Sequence, residues 1–161
     1  MITKKKILFV CLGNICRSPA AEGIMYKMIK SEGLENQIEV DSAGTMGYHT
    51  GEKADPRMRK HASQRGYDLT SLARRFNPDK DFKEFDYIVT MDNQNYEDII
   101  SMDYKNEYSS KVLKMSNFCK VHKINEVPDP YYSGSEGFEN VLDILEDGCK
   151  NLLVRIKNEL N

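Results

Sequence analysis

Near the start of the chain four apolar residues, Ile7-Leu8-Phe9-Val10, follow one another with no polar residue between them. A strand with one wet face alternates apolar and polar residues, so a short unbroken run predicts a strand buried on both faces. The residues after it are those of a turn and a helix start. Gly13-Asn14 suits a tight turn with positive φ, and Ser18-Pro19 suits a helix cap with proline at the first helical position. Ala21, Ile24, Met25, Met28 and Ile29 then recur at helical spacing, and Gly33 ends the pattern.

The same alternation continues along the chain. Ile38 to Ser42 reads as a second strand, and a glycine-rich loop from Ala43 to Ala54 leads to a helix that starts at Asp55-Pro56 and runs to about Gly66. Asp86 to Met91 reads as a third strand, with Asp92 placed to cap a helix carrying Ile99 and Ile100. Lys111 to Met115 is a weaker fourth strand. In the last helix Phe138, Val141, Leu142, Leu145, Cys149, Leu152, Leu153, Ile156 and Leu160 form one apolar stripe. Parallel neighbours need crossover connections, so this order predicts an α/β fold: a doubly wound, four-stranded parallel sheet with helices on both faces. Residues 1–161 make one domain of ordinary size. Ligands bind such sheets at the carboxyl ends of the strands, which puts the loop after the first strand at the expected site.

With 23 basic and 25 acidic residues the chain has no net-charge preference for nucleic acid, so an anion site has to be built locally. The basic start, Met1 to Lys6, with the apolar run after it superficially suggests a signal peptide. The run is too short, Asn14 and Arg17 stand where a cleavage region belongs, and no stretch has the length a bilayer requires. A cytoplasmic protein with no membrane partner is expected, and monomer is the default. Four cysteines without a Cys-x-x-Cys pair, and only three histidines, make neither a disulfide scaffold nor a zinc site. Cys149 falls on the apolar stripe and reads as core, and Cys119 fits no pattern.

Cys11 and Cys16 are different, because Arg17 and a helix start stand beside them. A tight loop that turns successive N–H groups inward forms a nest for an anion. The helix end adds unpaired N–H groups and its positive dipole, and the planar fork of Arg17 can grip two oxygens of a phosphoryl group. The field that holds a dianion also stabilises a thiolate, so Cys11 is expected to be ionised at neutral pH. Ser18 could donate a hydrogen bond to that sulfur.

From Cys11 to Ser18 the chain reads Cys-Leu-Gly-Asn-Ile-Cys-Arg-Ser, which resembles the signature loop of the low-molecular-weight protein tyrosine phosphatase family. Asp41-Ser42-Ala43-Gly44, Phe85-Asp86-Tyr87 with Met91-Asp92, and Asp129-Pro130-Tyr131-Tyr132 resemble further motifs of that family, in its order. Other cysteine phosphatases carry their acid loop before a His-Cys-x5-Arg signature. Here Val10 precedes Cys11, so the acid must come from downstream, and Asp129 between Pro128 and Pro130 is the candidate.

The resemblance implies phosphotyrosine hydrolysis through a phosphocysteine, with phosphotyrosine proteins or peptides and small aryl phosphates as substrates. In that reading Cys11 is the nucleophile and Asp129 the general acid and base. Arg17 and the N–H groups of Leu12, Gly13, Asn14, Ile15, Cys16 and Ser18 bind phosphate. It also implies that Asn14 is braced by Ser42 and His61, that Tyr48, Tyr131 and Tyr132 wall the cleft, and that Ile15 and Leu12 form its floor. Cys16 is the implied disulfide partner of an oxidised Cys11. No metal or cofactor is required.

Several alternatives stand beside this reading. The loop could be a structural anion-binding turn, or the protein an inactive phosphopeptide-binding module. An arsenate reductase of this fold needs a redox pair near the third strand, yet no cysteine lies between Cys16 and Cys119. A protein arginine phosphatase typically has threonine at the position of Ile15 and lacks the paired tyrosines. For His61 a bracing role is preferred to catalysis, for Asp92 capping is preferred to a contact with the site, and His49 and His122 read as surface residues.

Overall fold

The computed structural model describes residues 3–160. Four strands form one sheet: β1 (Lys5–Cys11), β2 (Ile38–Gly44), β3 (Tyr87–Thr90) and β4 (Val112–Lys114). All neighbours are parallel, in the order β2-β1-β3-β4. Helices α1 (Arg17–Ser31), α2 (Pro56–Gln64), α3 (Pro78–Glu84), α4 (Asn93–Met102) and α5 (Ser135–Asn158) complete the fold. No helix among the described residues is long and apolar enough to cross a membrane.

The run Ile7 to Val10 is fully buried, as its composition requires. Its alternate residues serve two separate cores. Ile7 and Phe9 pack with α1 and α5, whereas Leu8 and Val10 pack with Phe82 of α3 and Ile99 of α4. A strand covered on both faces has no polar side, which is why no polar residue interrupts the run. The chain leaves β1 toward β2 on one side and later returns to β3 on the other. The carboxyl end of β1 is therefore the switch point of the sheet.

The expected elements are present with shifted ends. Ala43 and Gly44, expected in a loop, extend β2, where they pair with Val10 and Cys11. Leu160 lies beyond the end of α5 and packs, half-buried, on the core. Helix α3 was not expected. It has only seven residues, too few for apolar periodicity, although Asn77 caps it through the Asp79 N–H and Pro78 opens it.

Helix α5 carries the widest apolar surface over the α1 side of the sheet, with Leu142, Leu145 and Leu152 fully buried. Truncating such a residue removes contacts and leaves a cavity. Leu142→Ala is expected to cost about 2–5 kcal/mol of unfolding free energy, read from the shift of the denaturant midpoint. A midpoint shift worth under about 1 kcal/mol would show that α5 is not integral to the core.

Candidate active site

The site grows from the end of β1. Cys11 closes the strand, buried, and the loop from Leu12 to Cys16 turns back into α1. Neighbouring segments hold the loop by its outward carbonyls. Cys11 O accepts from Thr45 N at 2.9 Å, Leu12 O from Met46 N at 3.0 Å, and Ile15 O from Asp55 N at 2.8 Å. No protein acceptor among the described residues takes the N–H groups of Gly13 to Cys16. Carbonyls out and N–H groups free is the geometry of an anion nest.

Asn14 makes the turn possible. Its φ is 58°, in the left-handed region that asparagine tolerates better than most residues. Gly13, also expected at positive φ, does not adopt it. Glycine serves there for space, since a Cβ would stand 3.1 Å from Cδ2 of His49.

The buried Asn14 side chain then orders the site. Its Oδ1 accepts from the Arg74 N–H at 3.0 Å, which fixes the orientation of the amide. Its Nδ2 faces Ser18 Oγ at 2.8 Å and Ser42 Oγ at 2.9 Å. An amide nitrogen only donates, so both serine hydroxyls must accept from Asn14 and point their own hydrogens elsewhere. Ser42 donates to Glu22 Oε1 at 2.6 Å. Ser18 Oγ lies 3.0 Å from Cys11 Sγ and 3.5 Å from Ala43 O, and when Cys11 is a thiolate, which can only accept, the shorter contact takes the Ser18 hydrogen. The expected bond from Ser18 to sulfur is thus present, but the cap is not. Helix α1 begins two residues earlier than Pro19, at Arg17, with Cys16 in the cap position and no side-chain cap.

Arg17 is 2% exposed, with Nη1 donating to Asp92 Oδ2 at 2.8 Å and to Val127 O at 3.0 Å. Its other terminal nitrogen is 3.6 Å from Asp129 Oδ2. Burial disfavours the charge, but a Cys11 thiolate and the bond to Asp92 outweigh it and hold Arg17 more firmly protonated. Asp92 also caps α4 by accepting from Asn95 N at 2.7 Å, so one carboxylate does both jobs that were weighed as alternatives. Burial, reinforced by the nearby charge of Asp55, pushes the Cys16 thiol far up, which keeps it protonated.

These groups meet at a cleft of about 260 Å³. The buried Cys11, Cys16 and Arg17 line its depth, and Ile15 and Tyr131 its walls. Leu12, expected at the floor, is 41% exposed and sits toward the mouth with Tyr48 and Tyr132. Asp129 also faces the cleft, its Oδ1 accepting from Tyr131 N at 3.1 Å. His49, expected on the surface, lines the cleft beside Gly13 and bonds Glu52 through Nδ1 at 2.7 Å.

A match to the family model for low molecular weight phosphotyrosine protein phosphatase covers residues 6–161. The chain belongs to that family. The phosphatase is 37% identical over 154 residues to the low molecular weight protein-tyrosine-phosphatase YfkJ of Bacillus subtilis, covering 95% of this chain and 96% of that one. A crystal structure of protein tyrosine phosphatase from Entamoeba histolytica matches with a TM-score of 0.92 at 49% identity, over 97% of this chain and 99% of that chain. A crystal structure of Drosophila arginine phosphatase matches with a TM-score of 0.87 at 30% identity, over 94% and 98%. The protein is a phosphoric monoester hydrolase of the low molecular weight tyrosine phosphatase type.

One expected brace of the phosphatase loop is misplaced. His61 does not reach Asn14: its Nδ1 lies 2.5 Å from Glu139 Oε2, and its ring stacks on Phe138. On α2 it turns toward α5, and the Arg74 N–H fills the place meant for it beside Asn14. The guanidinium of Arg74 is itself tied to Asp41 at 3.1 Å and Asp81 at 3.0 Å.

Glu22 and Gly44 were also overlooked as parts of the site. Glu22 is a largely buried carboxyl whose affinity for a proton is raised by burial, against the bonds from Ser42 and Ser71. A Cβ at Gly44 would lie 2.8 Å from the Leu12 carbonyl oxygen, so only glycine lets the two backbones meet.

Asn14→Asp tests the hydrogen-bond order, since it keeps size and turn preference but replaces a double donor with acceptors. Ser18 would turn its hydrogen away from Cys11, and kcat/KM for an aryl phosphate is expected to fall by about 10- to 100-fold. Steady-state kinetics with circular dichroism as the fold check decides it; unchanged kinetics in a folded variant would refute the assigned directions.

Proposed function

We propose that this phosphatase hydrolyses phosphotyrosine in proteins and peptides, and small aryl phosphates, with Cys11, Arg17 and Asp129 as its catalytic residues. The observation that carries the reading is the convergence of three groups on one cleft: Cys11 with Ser18 donating to its sulfur, the buried Arg17, and Asp129 facing that guanidinium.

The phosphoryl group enters the nest, where the N–H groups of residues 12–18 and the Arg17 fork hold its equatorial oxygens. The Cys11 thiolate attacks phosphorus in line. An S–P bond forms as the P–O bond to the tyrosine oxygen breaks, and the Asp129 carboxyl passes its proton to the departing phenolate. In the second step ionised Asp129 takes a proton from water, the water oxygen bonds to phosphorus, and the S–P bond breaks. The thiolate is released into the hydrogen bond from Ser18. No metal or cofactor enters this sequence of steps.

Ile15 and Tyr131 offer apolar and aromatic walls that suit a flat ring, and Tyr48 and Tyr132 extend the surface at the mouth. Those walls favour phosphotyrosine over phosphoarginine, a distinction that likeness of fold to an arginine phosphatase does not make. The reading includes one catalytic unit over residues 1–161, acting as a cytoplasmic monomer without nucleic-acid or membrane partners. Four free cysteines support a reducing compartment.

Cys16 has a second role in this reading. Lining the same cleft as the nucleophile, it captures an oxidised Cys11: a Cys11 sulfenic acid formed by peroxide is attacked by the Cys16 sulfur, which gives up its proton as water leaves and a disulfide forms. Cys16→Ser should then recover poorly when reductant is added after peroxide. Recovery as complete as in the unaltered enzyme would remove this role.

Phosphate release from a phosphotyrosine peptide and from a phosphoarginine peptide, compared with chelator present and Cys11→Ser as control, tests the main reading. Fast, chelator-resistant, Cys11-dependent release from phosphotyrosine is expected. The rate should follow a bell against pH on the acid side of neutrality, because the first step needs Cys11 ionised and Asp129 protonated. A rate still climbing through pH 8 would contradict the role of Asp129, and release from phosphoarginine alone would replace the substrate.

A further inference from the structure

The misplaced His61 leads to an arrangement with a function of its own. Its ring lies parallel to Phe138 within 5°, at a centroid distance of 5.7 Å. The guanidinium of Arg57 lies 4.9 Å over the Phe138 ring and 5.3 Å over the Tyr131 ring. Four planar groups, His61, Phe138, Arg57 and Tyr131, thus run in contact from the α2–α5 seam to the wall of the cleft. Glu139 fixes the far end through His61 Nδ1.

Arg57 is also held from the other side. Asp55 caps α2 by accepting from Arg57 N at 2.8 Å, and it grips the Arg57 side chain with both oxygens, at 3.1 and 2.8 Å. The Asp55 N–H donates to Ile15 O. One short segment, Asp55 to Arg57, therefore carries Ile15 on its backbone bond and Tyr131 on its guanidinium. Those two residues face the same cleft, whereas Arg57 does not line it.

We infer that Arg57 is a positioning residue for the aromatic part of the substrate: by stacking under Tyr131 while Asp55 holds Ile15, it sets the width of the slot that receives the ring. The inference rests on the phosphotyrosine reading and extends it to a residue that touches neither phosphate nor substrate. A planar guanidinium suits the task because it stacks on two rings and forks onto one carboxylate at once, which an ammonium cannot do. The phosphate nest is held mainly by contacts of Asn14, Thr45 and Met46, and its one tie to this segment, Ile15 O to the Asp55 N–H, is a backbone bond that does not use the Arg57 side chain, so grip on phosphate and grip on the ring are separable.

The test is kinetic, with Arg57→Met and Arg57→Lys each checked by thermal melting. For a phosphotyrosine peptide, KM should rise by about fivefold in both variants, the size of effect expected from losing one stacked cationic contact. The competitive inhibition constant of inorganic phosphate, which needs only the nest, should stay within about twofold, as should kcat/KM for a short alkyl phosphate. Phosphate inhibition weakened in parallel with peptide binding would overturn the inference, because Arg57 would then support the nest. An unchanged peptide KM, or full rescue by lysine, would overturn it as well, since planar stacking would not be the cause. If the unaltered enzyme cleaved no phosphotyrosine, the functional reading would fall and this inference with it; activity that ignores Arg57 would sink the inference alone.

Discussion

A single amide side chain, that of Asn14, holds the loop on which everything else depends. Its backbone sits at φ 58°, a conformation with an intrinsic cost for any side-chain-bearing residue, and three buried hydrogen bonds offset that cost. The polarity of those bonds matters as much as their number. Because Oδ1 is occupied by the Arg74 N–H, the amide has no freedom to flip, and Ser18 must turn its hydrogen away from Asn14, toward Cys11 Sγ at 3.0 Å or the more distant Ala43 O. A backbone N–H in the segment between α2 and α3 therefore influences which way a hydroxyl points beside Cys11, through two intervening groups. Such fully satisfied polar networks rigidify a buried site, and the same low dielectric makes any broken member costly.

Charge follows the same economy of position. The site brings a cationic guanidinium to 2% exposure, which stands only because Asp92 and Val127 O meet it at hydrogen-bond distance and an anion belongs beside it. Two thiols five residues apart have different neighbours in this arrangement. Cys11 receives the Ser18 hydrogen bond and faces Arg17, whereas Cys16 is buried near Asp55 and its thiol is pushed up. Chemical difference between the two cysteines thus comes from neighbours, since the residues themselves are identical.

What could be read from the amino-acid order divides along physical lines. The strand Ile7 to Val10 was legible because burial on two faces admits no polar residue, and α5 was legible because 24 residues repeat the helical period many times. Helix α3, with seven residues, never completes enough turns to show a period. In the site, Cys11, Arg17 and Asp129 could be singled out because each proposed role demands a particular side chain, and the fold brings the three to one cleft. Arg74 was not, because what it gives Asn14 is a main-chain N–H that any residue but proline could supply. His61 was misassigned for the complementary reason: a histidine was sought for a brace that the backbone provides. Gly13 was assigned the right importance for the wrong cause, room for His49 in place of a positive φ.

The likeness to both tyrosine and arginine phosphatases shows where selectivity must lie on this fold. The nest, the nucleophile and Arg17 address the phosphoryl group, which is common to both kinds of substrate, so they cannot discriminate. Nor can the general acid, since a phenolate and a departing guanidine both gain from a proton. Only surfaces beyond the bridging atom see a difference between a flat apolar ring and a charged, hydrogen-bonding group. In the reading proposed above those surfaces are Ile15 and Tyr131, which line the cleft and are both tethered: Ile15 O is bonded to Asp55 N, and Tyr131 rests against Arg57. On the proposed reading, a slot whose two walls answer to one helix end has a set width, which suits a flat ring better than a bulkier solvated cation. Preorganisation of that kind gains affinity by sparing the substrate the work of ordering its own binding site.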